Sequence, residues 1–261
     1  MINESDLLAK IVVFDSGLGS LSIIKEIQKV AKTDIVYFAD QKNYPYGTKS
    51  QAQLSTIIKK TITLLEEKFV PDIIVVASYT PSLMINLVTR KIIDVKPPLK
   101  LAQKKSKSKK IGILATKSAI NSKGLTYYIE EENIPKSYKI FKINGSNLVN
   151  LVESGKFLNN KKYCKKIIKE NLENIVISEK IDTITLSSTH LLFLKLLLKK
   201  EFPEIEFIDP GNIVATKVFS KIKNNKSKRN SLKIFTSGDV ISFKNKLNKI
   251  GISNKVNFLS I

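Results

Sequence analysis

Cysteine is almost absent from this chain, with one residue, Cys164, among 261. A single thiol excludes an intrachain disulfide and every cysteine-based metal motif. It stands in Lys161-Lys162-Tyr163-Cys164-Lys165-Lys166, a stretch that reads as helix. Cys164 reads there as a small helical residue, although neighbouring lysines could lower a thiol pKa. The N-terminal stretch does not read as a secretory leader. Met1–Lys10 contains Glu4 and Asp6 and has no basic segment followed by a long apolar run. No apolar run is long enough to span a bilayer, so no membrane partner is expected and the cytoplasm is the default location. Arginine occurs only at Arg90 and Arg229, so lysines spread over nearly every element carry the net charge of +21. Clustered basic residues release counterions from phosphates, but dedicated nucleic-acid readers favour the arginine fork. The pattern reads as a solvated lysine surface with no specific nucleic-acid partner.

What is present is a foldable α/β pattern. A hydrophobic content of 43% over this length suffices for two compact domains or one large α/β unit. Short β-branched runs alternate with longer amphipathic stretches, as in a parallel sheet with helical crossovers. Strands are expected at Ile11–Phe14, Ile35–Phe38, Ile73–Ala77, Ile111–Leu114, Tyr138–Phe141, Thr183–Leu186, Glu206–Ile208 and Lys233–Phe235. Helices are expected at Leu21–Val30, Leu54–Lys68, Tyr163–Ile177 and Leu191–Lys199. Prolines and like charges at Lys96-Pro97-Pro98 and Lys104–Lys110 suggest a linker or surface crossing, and Lys221–Asn230 an exposed loop. One pattern recurs: an apolar strand, a small residue, then hydroxyl residues at its carboxyl end. It occurs at Ala77-Ser78-Tyr79-Thr80 and at Ser187-Ser188-Thr189-His190. Ligands of open parallel sheets bind beyond strand carboxyl ends, so both places are candidate sites.

Several segments carry a further signal jointly. Phe14-Asp15-Ser16-Gly17-Leu18-Gly19, Tyr37-Phe38-Ala39-Asp40, Pro45-Tyr46-Gly47 and Val76-Ala77-Ser78-Tyr79-Thr80 lie in the first half of the chain. Ile111–Thr116, Leu151-Val152-Glu153-Ser154-Gly155, Leu186–His190 and Thr236-Ser237-Gly238-Asp239 follow. In this order they resemble glutamate racemase, of the aspartate/glutamate racemase superfamily, along nearly the whole chain. The resemblance implies two Rossmann-like parallel-sheet domains related by pseudo-two-fold symmetry, with the active site in the cleft between them. The first domain would be discontinuous, 1–96 plus 209–261, around a second at 111–208, with 97–110 as linker. It also implies interconversion of L- and D-glutamate for peptidoglycan synthesis, with no cofactor or metal, and a homodimer as in much of the family.

Carried over by position, Asp15, Ser16, Tyr46, Gly47, Tyr79, Thr80, Thr189 and His190 match substrate-binding residues, while Asp15, His190 and Glu153 would tune proton transfer. Ser78 and Ser188 stand where the family places its two catalytic cysteines. A thiol, with a pKa of roughly 8.5, suits both removal and return of an α-proton near neutral pH. A serine hydroxyl ionises far less readily and acts chiefly as a nucleophile when a neighbouring base removes its proton. The two-thiol mechanism therefore cannot operate as written. Tyr79 in place of asparagine and Leu191-Leu192 in place of an aromatic-proline pair are further departures. Each residue also has a plain structural reading: Asp15 as a helix cap, Tyr46 as a packed turn residue, His190 as a core histidine. Three functions stay open: a racemase, a non-catalytic amino-acid-binding or regulatory homologue, and a basic nucleic-acid-associated protein.

Overall fold

The β-branched runs form strands, and every strand pairing among the described residues is parallel. The computed structural model describes residues 10–87, 89–222 and 229–261. Nearly all of the N-terminal segment Met1–Lys10 and most of Lys221–Asn230 therefore lie outside the described residues. The strands are β1 (Lys10–Asp15), β2 (Asp34–Ala39), β3 (Ile73–Val76), β4 (Ile92–Asp94), β5 (Lys110–Ala115), β6 (Lys139–Asn144), β7 (Thr183–Leu186), β8 (Glu206–Ile208), β9 (Ser231–Thr236) and β10 (Val256–Phe258). The chain divides into two units, Met1–Val95 with Gly211–Ile261, and Lys96–Pro210.

The first unit holds a six-stranded sheet in the order β10-β9-β2-β1-β3-β4, and the second a four-stranded sheet in the order β6-β5-β7-β8. In each, the first strand is flanked by the second on one side and the third on the other. This reversal of direction creates a crevice at the carboxyl ends, between β1 and β3 and between β5 and β7. Central strands such as β3 (Ile-Ile-Val-Val) are apolar on both faces because helices cover both faces of a parallel sheet. Ile11–Phe14, Ile73–Val76 and Ile184 are buried on this account. In the first unit, Val12, Phe14, Val36, Phe38, Ile74 and Val76 pack with Leu54, Ile58 and Leu65 of the helix Gln51–Phe69. Ser50 caps that helix in a reciprocal capping box with Gln53. The helix Gly211–Lys221 packs against Ser20–Val30, which ties the C-terminal segment into the first unit.

In the second unit, Cys164, Ile168, Leu172 and Val176 of the helix Lys161–Glu179 pack with Leu114, Ile184 and Leu186. Cys164 is buried there, and burial raises its thiol pKa; the lysines of its helix do not activate it. The eight expected strands are present, with ends shifted by a few residues at most, but β4 and β10 were not expected. Each has only three residues, as does β8. The expected helix Leu191–Lys199 is instead a 3₁₀ turn, Thr189–Leu194, running into the helix Lys195–Glu201. Buried Leu191, Leu194 and Leu198 satisfy either geometry, so spacing alone does not separate them.

The lysine-rich stretch around residue 100 carries the helix Leu99–Lys105, with Leu99 and Ala102 buried. Its C-terminal end is held by Asp182 at the entry to β7. One carboxylate accepts from Ser106 Oγ (2.6 Å), Lys107 N (2.7 Å), Ser108 N (2.6 Å) and Thr183 Oγ1 (3.0 Å). Partial burial alone would raise the Asp182 pKa, but the donors from Ser106, Ser108 and Thr183 outweigh it and hold it below the ordinary carboxylate value. A depressed folded-state pKa contributes stability that is present above the unfolded value and lost as pH falls through the folded one. Asp182→Ala is therefore expected to cost on the order of 1 kcal/mol at neutral pH. The deficit should shrink below about pH 4, the ordinary aspartate range. Urea unfolding of wild type and variant at both pH values checks this, and a pH-independent deficit contradicts it.

Candidate functional site

Each sheet ends its central strands in the same way. Ala77 N donates to Phe14 O (2.9 Å), and Ser187 N donates to Leu114 O (2.8 Å), prolonging the β1–β3 and β5–β7 pairings by one bond. The next residue in each case is serine in extended conformation. Ser78 has φ −139 and ψ 129, and Ser188 has φ −144 and ψ 133. Both then enter a short helical segment, Tyr79–Met84 after Ser78 and Thr189–Leu194 after Ser188. The two serines are 9% and 6% exposed, at the rim of their sheets.

In the first unit, Asp15 is the last residue of β1 and nearly buried, and its Oδ1 accepts from Ser16 N (2.6 Å). The cap position of the following helix is Gly19, which supplies no side-chain bond. The turn after β1 is held from the neighbouring strand's end. Tyr37 Oη donates to Gly17 O (2.5 Å), and Gln41 Nε2 donates to Ser16 O. Tyr79 and Thr80 are buried in the first turn after Ser78.

Asp40, directly beyond β2, is fully buried and accepts four hydrogen bonds from three side chains. Tyr46 Oη donates to Oδ2 (2.9 Å), Asn43 Nδ2 reaches both oxygens (3.0 and 2.9 Å), and Ser237 Oγ donates to Oδ1 (3.0 Å). A buried carboxylate is tolerable only when so satisfied. The cluster fixes the Pro45-Tyr46-Gly47 turn against the sheet, with Tyr46 buried and Gly47 half-buried. The Tyr46 hydroxyl is thus engaged by Asp40. Burial, then the charges of Asp40 and Asp15, push its pKa well above the usual 10.0. Sequence reading did not place Asp40, Asn43 or Ser237 in a site. The signal was available in Tyr37–Asp40 and Thr236–Asp239, which both end strands on the same sheet edge.

In the second unit, His190 and Glu153 meet although 37 residues separate them. His190 Nε2 lies 2.6 Å from Glu153 Oε1, and both side chains are one-tenth exposed. The other ring nitrogen, Nδ1, lies 3.5 Å from Ser188 Oγ. The contact exists because the helix Ser146–Glu153 packs on the Thr189–Leu194 turn and ends in Glu153. When the carboxylate accepts from Nε2–H, Nδ1 is the nitrogen that can accept from the serine hydroxyl. Thr189 is buried between the two. Among the described residues no group of three or more His, Cys, Asp or Glu side chains is placed to hold a metal ion. Nor is any helix among them long and apolar enough to cross a membrane.

No protein-family model matches the chain. Individual proteins do. The glutamate racemase of Aquifex pyrophilus is 32% identical over 236 residues, 87% of each chain. The crystal structure of glutamate racemase isoform RacE1 from Bacillus anthracis superposes with a TM-score of 0.83 at 24% identity, covering 97% of this chain and 98% of that one. That of Escherichia coli glutamate racemase, in complex with L-glutamate and the activator UDP-MurNAc-ala, gives 0.80 at 21% identity, with coverage of 97% and 98%.

The Asp40 cluster can be tested without ligand. Tyr46→Phe removes one donor from a buried carboxylate and is expected to cost about 1–3 kcal/mol at neutral pH. A raised folded-state pKa contributes stability that is complete below the unfolded value and lost as pH rises through the folded one. The variant should therefore lose less stability than wild type as pH rises beyond about 10, the ordinary tyrosine value. Parallel alkaline profiles in denaturant titrations would contradict this.

Proposed function

The chain belongs to the glutamate racemase family, and from that premise we propose that it interconverts L- and D-glutamate without a cofactor, in the cytoplasm, supplying D-glutamate for peptidoglycan. The observation that carries the proposal is the paired strand-end geometry. Ser78 and Ser188 occupy matching positions beyond β3 and β7, each at a sheet crevice, and the second has an imidazole and a carboxylate behind it. In this reading Asp15, Ser16, Thr80 and Thr189 offer polar groups to the amino acid. Tyr46, with its hydroxyl held by Asp40, contributes with Gly47 through the backbone of their turn, and Tyr79 narrows the space beside Ser78. His190, backed by Glu153, exchanges a proton with Ser188.

The chemistry is demanding for hydroxyls. A positioned acid or base contributes about 10²–10⁴ in rate, and a hydroxyl at each thiol position forgoes much of that. Turnover in the wild type is accordingly slow. The test is α-proton exchange of L- and D-glutamate in D₂O, followed by NMR. Exchange should be measurable but weak in wild type and rise at least about 10²-fold in Ser78→Cys/Ser188→Cys. Asp15→Ala should abolish the calorimetric response to glutamate. Wild-type exchange equal to that of the double variant would show that other groups move the proton. Glutamate binding with no exchange in either protein would favour an amino-acid-binding homologue, and no binding at millimolar concentration removes glutamate as the ligand.

A further inference from the structure

Ser78 and Ser188 share backbone conformation, exposure and position relative to their sheets, but differ in one respect. The only histidine of the chain is His190, and the first unit contains none. Ser188 Oγ lies 3.5 Å from His190 Nδ1, and Glu153 Oε1 lies 2.6 Å from Nε2. Hydroxyl, imidazole and carboxylate thus form one connected series within the second unit. Such a series is the arrangement that activates a serine: the carboxylate orients the ring, and the ring nitrogen facing the hydroxyl takes its proton. At 3.5 Å the Ser–His distance is long for a hydrogen bond.

We propose that Ser188 is a base-activated nucleophile able to accept an acyl group from an ester or thioester, an activity distinct from racemisation. As Ser188 Oγ attacks the acyl carbon, its proton passes to His190 Nδ1. The Oγ–C bond forms, the bond to the leaving oxygen or sulfur breaks, and the leaving group carries off the proton from Nδ1. Water, deprotonated by His190, then attacks the serine ester; the acid departs and the proton returns to Ser188. No oxidant, reductant or metal enters this balance. Glu153 acts through His190 and is a positioning residue. A thiol at position 188 is not required, and the hydroxyl that hampers carbon-acid chemistry is well suited to acyl transfer.

The experiment is to incubate the full-length protein with a fluorophosphonate probe, which forms an Oγ–P bond with release of fluoride, and to map the adduct by peptide mass spectrometry. The label is expected on Ser188 and not on Ser78, which serves as an internal control of equal exposure lacking the imidazole. His190→Ala should slow labelling about 10²-fold. Glu153→Asp, which keeps the charge, should retain more labelling than Glu153→Gln, which keeps the length; a purely structural role predicts the opposite order. Equal labelling of Ser78 and Ser188, an unlabelled Ser188 in folded wild type, or an undiminished rate in a folded His190→Ala variant would each overturn the proposal. These outcomes are independent of glutamate exchange, so the racemase reading stands or falls separately.

Discussion

Parallel pairing is the constraint from which the site arrangement follows. When all strands of a sheet run the same way, their carboxyl ends collect on one edge, and strand order decides which ends are adjacent. Because β1 lies between β2 and β3, the residues just past β1 and β3 become neighbours, bringing Asp15 and Ser16 beside Ala77 and Ser78. The same order in the second sheet brings Ala115 and Thr116 beside Ser187 and Ser188. The central strands are largely apolar, as in β1 and β3. Polar chemistry is thereby confined to the first residues beyond each strand, which is where serine, aspartate and histidine accumulate.

Burial of Asp40 imposes a second condition. A carboxylate removed from water is costly unless its lone pairs are occupied, and here they are filled by groups from the β2 end, the Tyr46 turn and the residue after β9. The donor from Ser237 belongs to the C-terminal segment, so the first unit needs both stretches of chain to complete its polar core. The turn carrying Gly47 is consequently fixed by the fold and does not depend on a ligand to order it.

Much of this was legible in sequence, for identifiable reasons. Runs such as Ile11-Val12-Val13-Phe14 and Thr183-Ile184-Thr185-Leu186 announce buried strands through β-branching, and the resemblance in motif order led to the family and its α/β fold. The short strands β4 and β10 were not legible in this way, and Leu191–Leu198 has a spacing that suits a 3₁₀ turn as well as a helix. Within the candidate site, Asp15, Ser78 and Ser188 could be located because strand ends can be located. Contacts across long separations could not: Asp40 with Ser237, 197 residues apart, or His190 with Glu153. Glu153 entered the sequence reading through a motif, and only the packing of its helix end on the Thr189–Leu194 turn supplies a physical partner.

The isolation of that one histidine also shapes the protein's exterior. Imidazole is the side chain whose ordinary titration falls between about pH 5 and 8, and here the sole example is withdrawn from the surface and joined to Glu153. The one thiol, buried at Cys164, is pushed further from that range. With 44 lysines and arginines against 23 aspartates and glutamates, the net field of the chain is positive, and salt screens it.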